Sequence, residues 1–359
     1  MHLVQTHKEF SSIIKDLTKY KVIALDTEFL RDKTYYPEFC LLQIATENKA
    51  YAIDPLSSEI DISLLKGVLE DSGIVKVIHS CKQDVEILEK SVGTMPQNIF
   101  DTQIAAAFCG ISDMISYEVL CNRILNVAID KTQRITDWSM RPLRENQIKY
   151  AINDVIYLIE IYKKLLAKLD RESKKSWALE YMKNFSDPDF FKLDKDQVWQ
   201  RLTMPQIPFK AKHLYKVIAV WREEKAMISN KPRRKFLSDR NMINISLYLS
   251  GVNKNTPDSE FFDEYHDEIR NFVEEFSKNN KDDYLTKRVM TIKQRGKYRV
   301  LKNLLTAKAK ENNIARHLVA KNSDLTDLIF QNDIENNICM HGWRKRIYGN
   351  YAAEILDKK

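Results

Sequence analysis

The chain has 359 residues, 44% hydrophobic and 10% aromatic, which is ample for folded cores and allows two or three domains. Its formal net charge is +7, no apolar run approaches a membrane span, and the N-terminus Met-His-Leu-Val-Gln-Thr-His-Lys lacks the apolar stretch of a secretory leader, so a cytoplasmic location is expected. The five cysteines (Cys40, Cys81, Cys109, Cys121, Cys339) are widely spaced with no C-x-x-C pair, which argues against a disulfide framework or a thiolate metal centre.

In chain order, Lys8 to Leu17 has helical spacing, and Val22 to Leu25 is a β-prone apolar run leading straight into Asp26-Thr27-Glu28-Phe29. Alternate strand residues share a face, so Asp26 and Glu28 are expected to project together. Cys40 to Ala45 and Ala50 to Ile53 read as strands, with a hairpin turning through Glu47-Asn48-Lys49; Ile62 to Leu69 reads as a helix and Ile74 to Ile78 as another strand. Asp84 begins a short amphipathic helix that includes Val85 to Lys90. From Asp101 onward the pattern is helical: Asp101 is a plausible N-cap for Thr102 to Cys109, Ser116 opens a further helix, and one long helix is expected from about Glu145 to Leu169. Tyr150 and Asp154 lie one turn apart on that helix, directed into or alongside the core.

This order predicts a mixed α/β unit over residues 1–170 rather than a purely doubly wound parallel sheet. Residues 171–208 read as a helical linker that loosens between Asp187 and Pro208. Beyond it an internal repeat appears: Lys225-Ala226 matches Lys308-Ala309, and Arg234-Lys235-Phe236-Leu237 matches Arg316-His317-Leu318-Val319. Two helical domains are therefore expected, over 209–290 and 291–359. Residues 209–359 carry 30 Lys+Arg against 20 Asp+Glu, a net of +10, whereas residues 1–208 carry 27 against 30, a net of −3. A basic half of that kind suits a polyanionic partner.

Asp26, Glu28, Asp84 and Asp154 each follow or lie within an apolar element, where a charge needs a partner. With 50 acidic residues, acid-x-acid triplets arise roughly seven times by chance, so the convergence of all four carries the inference rather than any one pair. Carboxylates gathered without basic partners call for cations, and oxygen donors with no His or Cys cluster imply Mg²⁺ or Mn²⁺ rather than zinc.

Asp26-Thr27-Glu28 with the downstream TYYPEFCLLQIA, His79 to Asp84, FDTQIAAAF at 100–108 and KTQRITDWSMRPLRENQIKYAINDVIYL at 131–158 resemble ribonuclease D, in the tyrosine-bearing branch of the four-acid exonuclease superfamily. The basic half resembles the helicase-and-RNase-D C-terminal (HRDC) domain present twice, the second copy ending in GWRKRIYG at 342–349; the first has no counterpart of Gly342-Trp343-Arg344.

The resemblance implies a ribonuclease H-like exonuclease core that hydrolyses RNA from the 3′ end and releases nucleoside 5′-monophosphates, with tRNA precursors and other small structured RNAs as substrates and a monomer as the working form. It further implies two divalent cations about 4 Å apart, with Asp26 bridging, Glu28 and Asp154 completing the water-activating site, Asp84 serving the second ion, and Tyr150 orienting the attacking water. By position, Thr27, Phe29 and His79 are candidate substrate contacts, each with an equally ordinary reading as turn residue, core aromatic or satisfied core histidine. Gln133, Trp138 and Arg141 match the family and receive no role. A DNA exonuclease of the same superfamily and a catalytically silent nucleic-acid-binding protein are the alternatives. The paired basic domains stand against the first, and the presence of all four acids and Tyr150 against the second.

Overall fold

A computed structural model describes residues 3–130, 136–192, 195–257, 260–279, 290–330 and 334–357; Gln133 lies outside them. Contacts divide the chain into two units, one formed by Met1–Phe29, Phe39–Phe190 and Met290–Lys359, the other by Leu30–Glu38 and Phe191–Val289.

The first unit is built on a six-stranded sheet: β1 (Leu3–Val4), β2 (Val22–Leu30), β3 (Glu38–Ala45), β4 (Ala50–Ile53), β5 (Val75–Ile78) and β6 (Ile99–Asp101), in the order β1-β4-β3-β2-β5-β6. β3 and β4 form the expected antiparallel hairpin with Ala45 opposite Ala50, whereas β5 runs parallel to both β2 and β6, so the sheet is mixed. The apolar run Ile23–Leu25 is fully buried in β2, and the strand continues through the acids to Leu30. β1 and β6, two and three residues long, are too short to carry a periodic signal.

Among the described residues the main helices of this unit before the basic half are α1 (His7–Leu17), α2 (Lys66–Glu70), α3 (Lys82–Val92), α4 (Thr102–Phe108), α5 (Tyr117–Leu125), α6 (Glu145–Ile156), α7 (Leu158–Arg171) and α8 (Lys175–Met182). The single long helix expected from Glu145 is broken at Tyr157, whose φ of −97° and ψ of −8° depart from helical values. The break has a packing reason: α6 lies on β4, while α7 lies on α4 and β5.

Residues 290–357 pack onto this core through specific contacts. Trp343, fully buried, stacks on Trp177 with ring centroids 5.1 Å apart and meets Phe108 edge-on at 5.5 Å. The buried ammonium of Lys174 donates to the carbonyls of Phe108 (3.1 Å) and Asn313 (2.9 Å) and to Glu172 (2.8 Å). Gly110 sits at φ +65°, where a Cβ would lie 2.1 Å from Asn313 Oδ1, so a side chain there would strain the backbone and displace Asn313.

The second unit has its own core around Trp221, Ile218, Met242, Ile245, Phe262 and Ile269. The segment that leaves β2 is tied into it: the Tyr35 hydroxyl donates to Glu223, and Tyr36 N donates to Asn230 Oδ1 at 3.1 Å. The two stretches read as a repeat carry the same helices in the same order. Phe209–Ile228, Arg233–Phe236 and Asp239–Leu249 in one correspond to Ile292–Glu311, Arg316–Val319 and Asn322–Phe330 in the other, and both bury the matched alanine, Ala226 or Ala309. Among the described residues no helix is long and apolar enough to cross a membrane.

Trp343→Ala removes a buried indole from the contact between residues 290–357 and α8, and is expected to lower the unfolding free energy of the first unit by about 3–5 kcal/mol. Urea titration of the full chain checks this, and a loss below about 1 kcal/mol would show that Trp343 does not anchor the module.

Candidate active site

Alternation along β2 sends Asp26 and Glu28 to one side, and α6 brings Asp154 to meet them, so that one carboxylate oxygen from each lies within 4.8 Å of the others. All three are half-buried on the wall of a cleft of about 580 Å³, lined also by Thr27, Phe29, His79, Asp84 and Tyr150. Every residue proposed from sequence for the site is thus in one cavity. No lysine or arginine is found among the described residues that line it.

Asp84 stands in the first turn of α3 and is buried. Thr27, alternating away from Asp26 and Glu28, donates its hydroxyl to Asp84 Oδ1 at 2.6 Å, so this side chain holds a carboxylate in place. The start of α3 is braced by Asp101. Ser80 turns the chain at φ +61°, and Ser80 N and Cys81 N donate to the Asp101 carboxylate at 3.2 and 2.8 Å. The same carboxylate caps α4 by accepting from Gln103 N (2.7 Å) and Ile104 N (3.1 Å), as the N-cap reading expects. One acidic group therefore receives four backbone N–H groups and fixes the first turns of two helices.

Burial, followed by the nearby charges of Asp84, Asp154 and Glu28, pushes the Asp26 carboxyl well above the ordinary range. Burial also pushes Asp84 up to about 7, outweighing the hydrogen bond from Thr27. The Tyr150 phenol is raised by burial and by Asp154 and Glu28, so it keeps its proton. These groups crowd negative charge that nothing in the described lining neutralises, and the oxygen-only donor set suits a hard divalent cation.

His79 has both ring nitrogens engaged, Nδ1 with Thr102 Oγ1 (2.9 Å) and Nε2 with the Ile115 carbonyl (3.0 Å), and burial lowers its pKa. Only a ring N–H can donate to that carbonyl, so Nε2 carries a proton, and burial disfavours a second one on Nδ1. Phe29 is half-buried on the cleft wall.

Of the other lining residues, Tyr117 was not named from sequence, and Trp138 was named there without a role. Tyr117 donates its hydroxyl to the Asn153 carbonyl at 3.0 Å, bracing α6 next to Asp154. Trp138 is buried with its ring 6.1 Å from that of Tyr150. Its loop is held by Arg141, which donates to both oxygens of buried Asp54 (2.8 and 2.6 Å), to the Cys40 carbonyl (2.7 Å) and to the Trp138 carbonyl (2.7 Å). The available signal was Asp54 itself, an acid directly after a strand-like run, as Asp26 is.

Residues 1–170 match the 3′-5′ exonuclease domain family. Over nearly the whole chain the protein is similar to ribonuclease D of Gluconacetobacter diazotrophicus, 31% identical over 370 residues, covering 99% of this chain and 92% of that one. It is likewise similar to ribonuclease D of Zymomonas mobilis subsp. mobilis, 32% identical over 374 residues with coverage of 99% and 94%. Among solved structures, RNase D of Escherichia coli, described as an exoribonuclease involved in structured RNA processing, superposes with a TM-score of 0.83 at 25% identity, covering 99% of this chain and 98% of that one.

The raised carboxyls set a sign for pH dependence. Their folded-state values lie above those of the unfolded chain, so their contribution to stability is present at low pH and is lost as pH rises through about 7. A bound cation replaces the protons, so Mg²⁺ is expected to raise the Tm of the full chain more at about pH 8 than at about pH 6. Asp84→Asn should flatten that difference in scanning calorimetry. A Mg²⁺ shift equal at both pH values, or larger at the lower one, would contradict the raised carboxyls.

Proposed function

The chain belongs to the ribonuclease D family of 3′-5′ exoribonucleases, and from that premise we propose that Asp26, Glu28, Asp84 and Asp154 hold two divalent cations and that the protein trims the 3′ ends of tRNA precursors and other structured RNAs. The observation that carries this reading is the convergence of Asp26, Glu28 and Asp154 oxygens within 4.8 Å, with Asp84 in the same cleft. Asp26, Glu28 and Asp154 would hold one cation and Asp26 with Asp84 the other; when bound, such cations supply charge stabilisation for the phosphodiester and lower the pKa of a coordinated water.

The chain's own groups do the positioning. Tyr150, protonated and one turn from Asp154, holds the attacking water through its hydroxyl rather than removing a proton from it. His79, with both ring nitrogens engaged by protein groups, is not the base. Phe29 offers a face on which the terminal base stacks. The helical domains over 209–290 and 291–359, with their net +10, supply attraction for the polyanion that the acidic cleft lacks.

A 5′-labelled tRNA precursor with a 3′ extension, incubated with the full chain and Mg²⁺, tests this. The wild type should shorten it one nucleotide at a time. Asp154→Asn should lower the rate more than about a hundredfold, and Tyr150→Phe should lower kcat by up to about a hundredfold with Mg²⁺ affinity unchanged. Endonucleolytic products, or an Asp154→Asn rate within a few-fold of wild type, would sink the mechanism.

A further inference from the structure

Gln103, in the first turn of α4, lies on the cleft wall with its amide pinned. Nε2 donates to the Ile115 carbonyl at 2.9 Å, the same oxygen that receives the Nε2–H of His79. A carbonyl oxygen only accepts, so the amide end that meets it must be the NH2, and Oε1 is the end left over. The backbone end is fixed as well, by the bond from Gln103 N to Asp101 at 2.7 Å. Among the described residues no donor reaches Oε1. Unlike the amide of Gln43, which is sealed in the core with neither atom bonded, Gln103 is partly exposed to the cleft. The result is an acceptor held on the wall of the cleft with its amide orientation fixed.

We propose that Gln103 selects RNA by accepting, at Oε1, a hydrogen bond from a ribose 2′-hydroxyl. This rests on the reading that the 3′ end of an RNA enters this cleft. Phosphates offer an acceptor nothing. Base edges do carry donors, but at different places on different bases, and a trimming enzyme must pass all four. The 2′-hydroxyl is the donor present on every ribonucleotide and absent from DNA. His79 cannot compete for it as an acceptor, because its Nδ1 already faces Thr102.

The test uses the full chain with Mg²⁺ and 5′-labelled oligonucleotides that are all-ribose, or carry one 2′-deoxy or one 2′-fluoro sugar at the last or the penultimate position. Wild type should remove the ribose end about tenfold faster than the 2′-deoxy end at one of these positions. The 2′-fluoro sugar should be as slow as 2′-deoxy, since fluorine cannot donate. Gln103→Met keeps the side-chain length and removes only the amide. It should bring the all-ribose rate down to the 2′-deoxy rate while leaving the 2′-deoxy rate unchanged, so that the preference vanishes. Equal slowing of ribose and 2′-deoxy substrates by Gln103→Met would assign the residue to packing alone and overturn the proposal. So would wild-type turnover of 2′-fluoro at the ribose rate, a comparison that holds even if Gln103→Met does not fold. Failure of wild type to shorten the all-ribose strand would instead remove the exonuclease reading beneath it.

Discussion

Mutual repulsion among Asp26, Glu28, Asp84 and Asp154 is the constraint around which the first unit is organised. Burial and neighbouring charge push Asp26 and Asp84 upward together, so the chain must hold these groups close against an electrostatic cost that bound protons or divalent cations relieve. What holds them is rigid. A fully buried apolar run carries Asp26 and Glu28 out on β2, Thr27 fastens Asp84, Asp101 clamps the first turn of α3 with two of its four accepted N–H bonds, and Tyr117 braces α6 at Asn153. A site of this kind works through preorganisation, and its braces lie one contact away from the acids themselves.

Charge is divided along the chain in a way that complements this centre. The first 208 residues are net −3 and the remainder net +10, so the excess of positive charge lies outside the stretch that carries the four acids. The two halves of the repeat have also diverged in their attachments. Gly342-Trp343-Arg344, absent from the first copy, seats the second copy on the exonuclease core through Trp177, Phe108 and Glu180. The first copy instead has a core of its own around Trp221, and it incorporates the segment that follows Glu28 and Phe29 in sequence.

Much of this was legible from sequence because it is local. An apolar run ending in Asp-x-Glu, an i,i+4 Tyr and Asp, an N-cap Asp and a hairpin between two strand-like runs are all written within a few residues. The unread parts depend on distant partners. Thr27 finds Asp84 57 positions away, Arg141 finds Asp54 87 away, and Lys174 finds Asn313 139 away. Asp101 as a cap was predictable, but its second pair of donors at Ser80 and Cys81 was not. The break at Tyr157 has no local signal for the same reason, since helical spacing runs through it and only the separate partners of α6 and α7 require the turn.

The central claim, that the four carboxylates gather two divalent cations, is tested most directly by anomalous scattering. Crystals of the full chain grown with Mn²⁺ and a short non-hydrolysable RNA should give two anomalous peaks in the cleft, one touching Asp26, Glu28 and Asp154 and the other touching Asp26 on the side of Asp84. A map with no peak among these carboxylates, from crystals in which the RNA end occupies the cleft, would contradict the account.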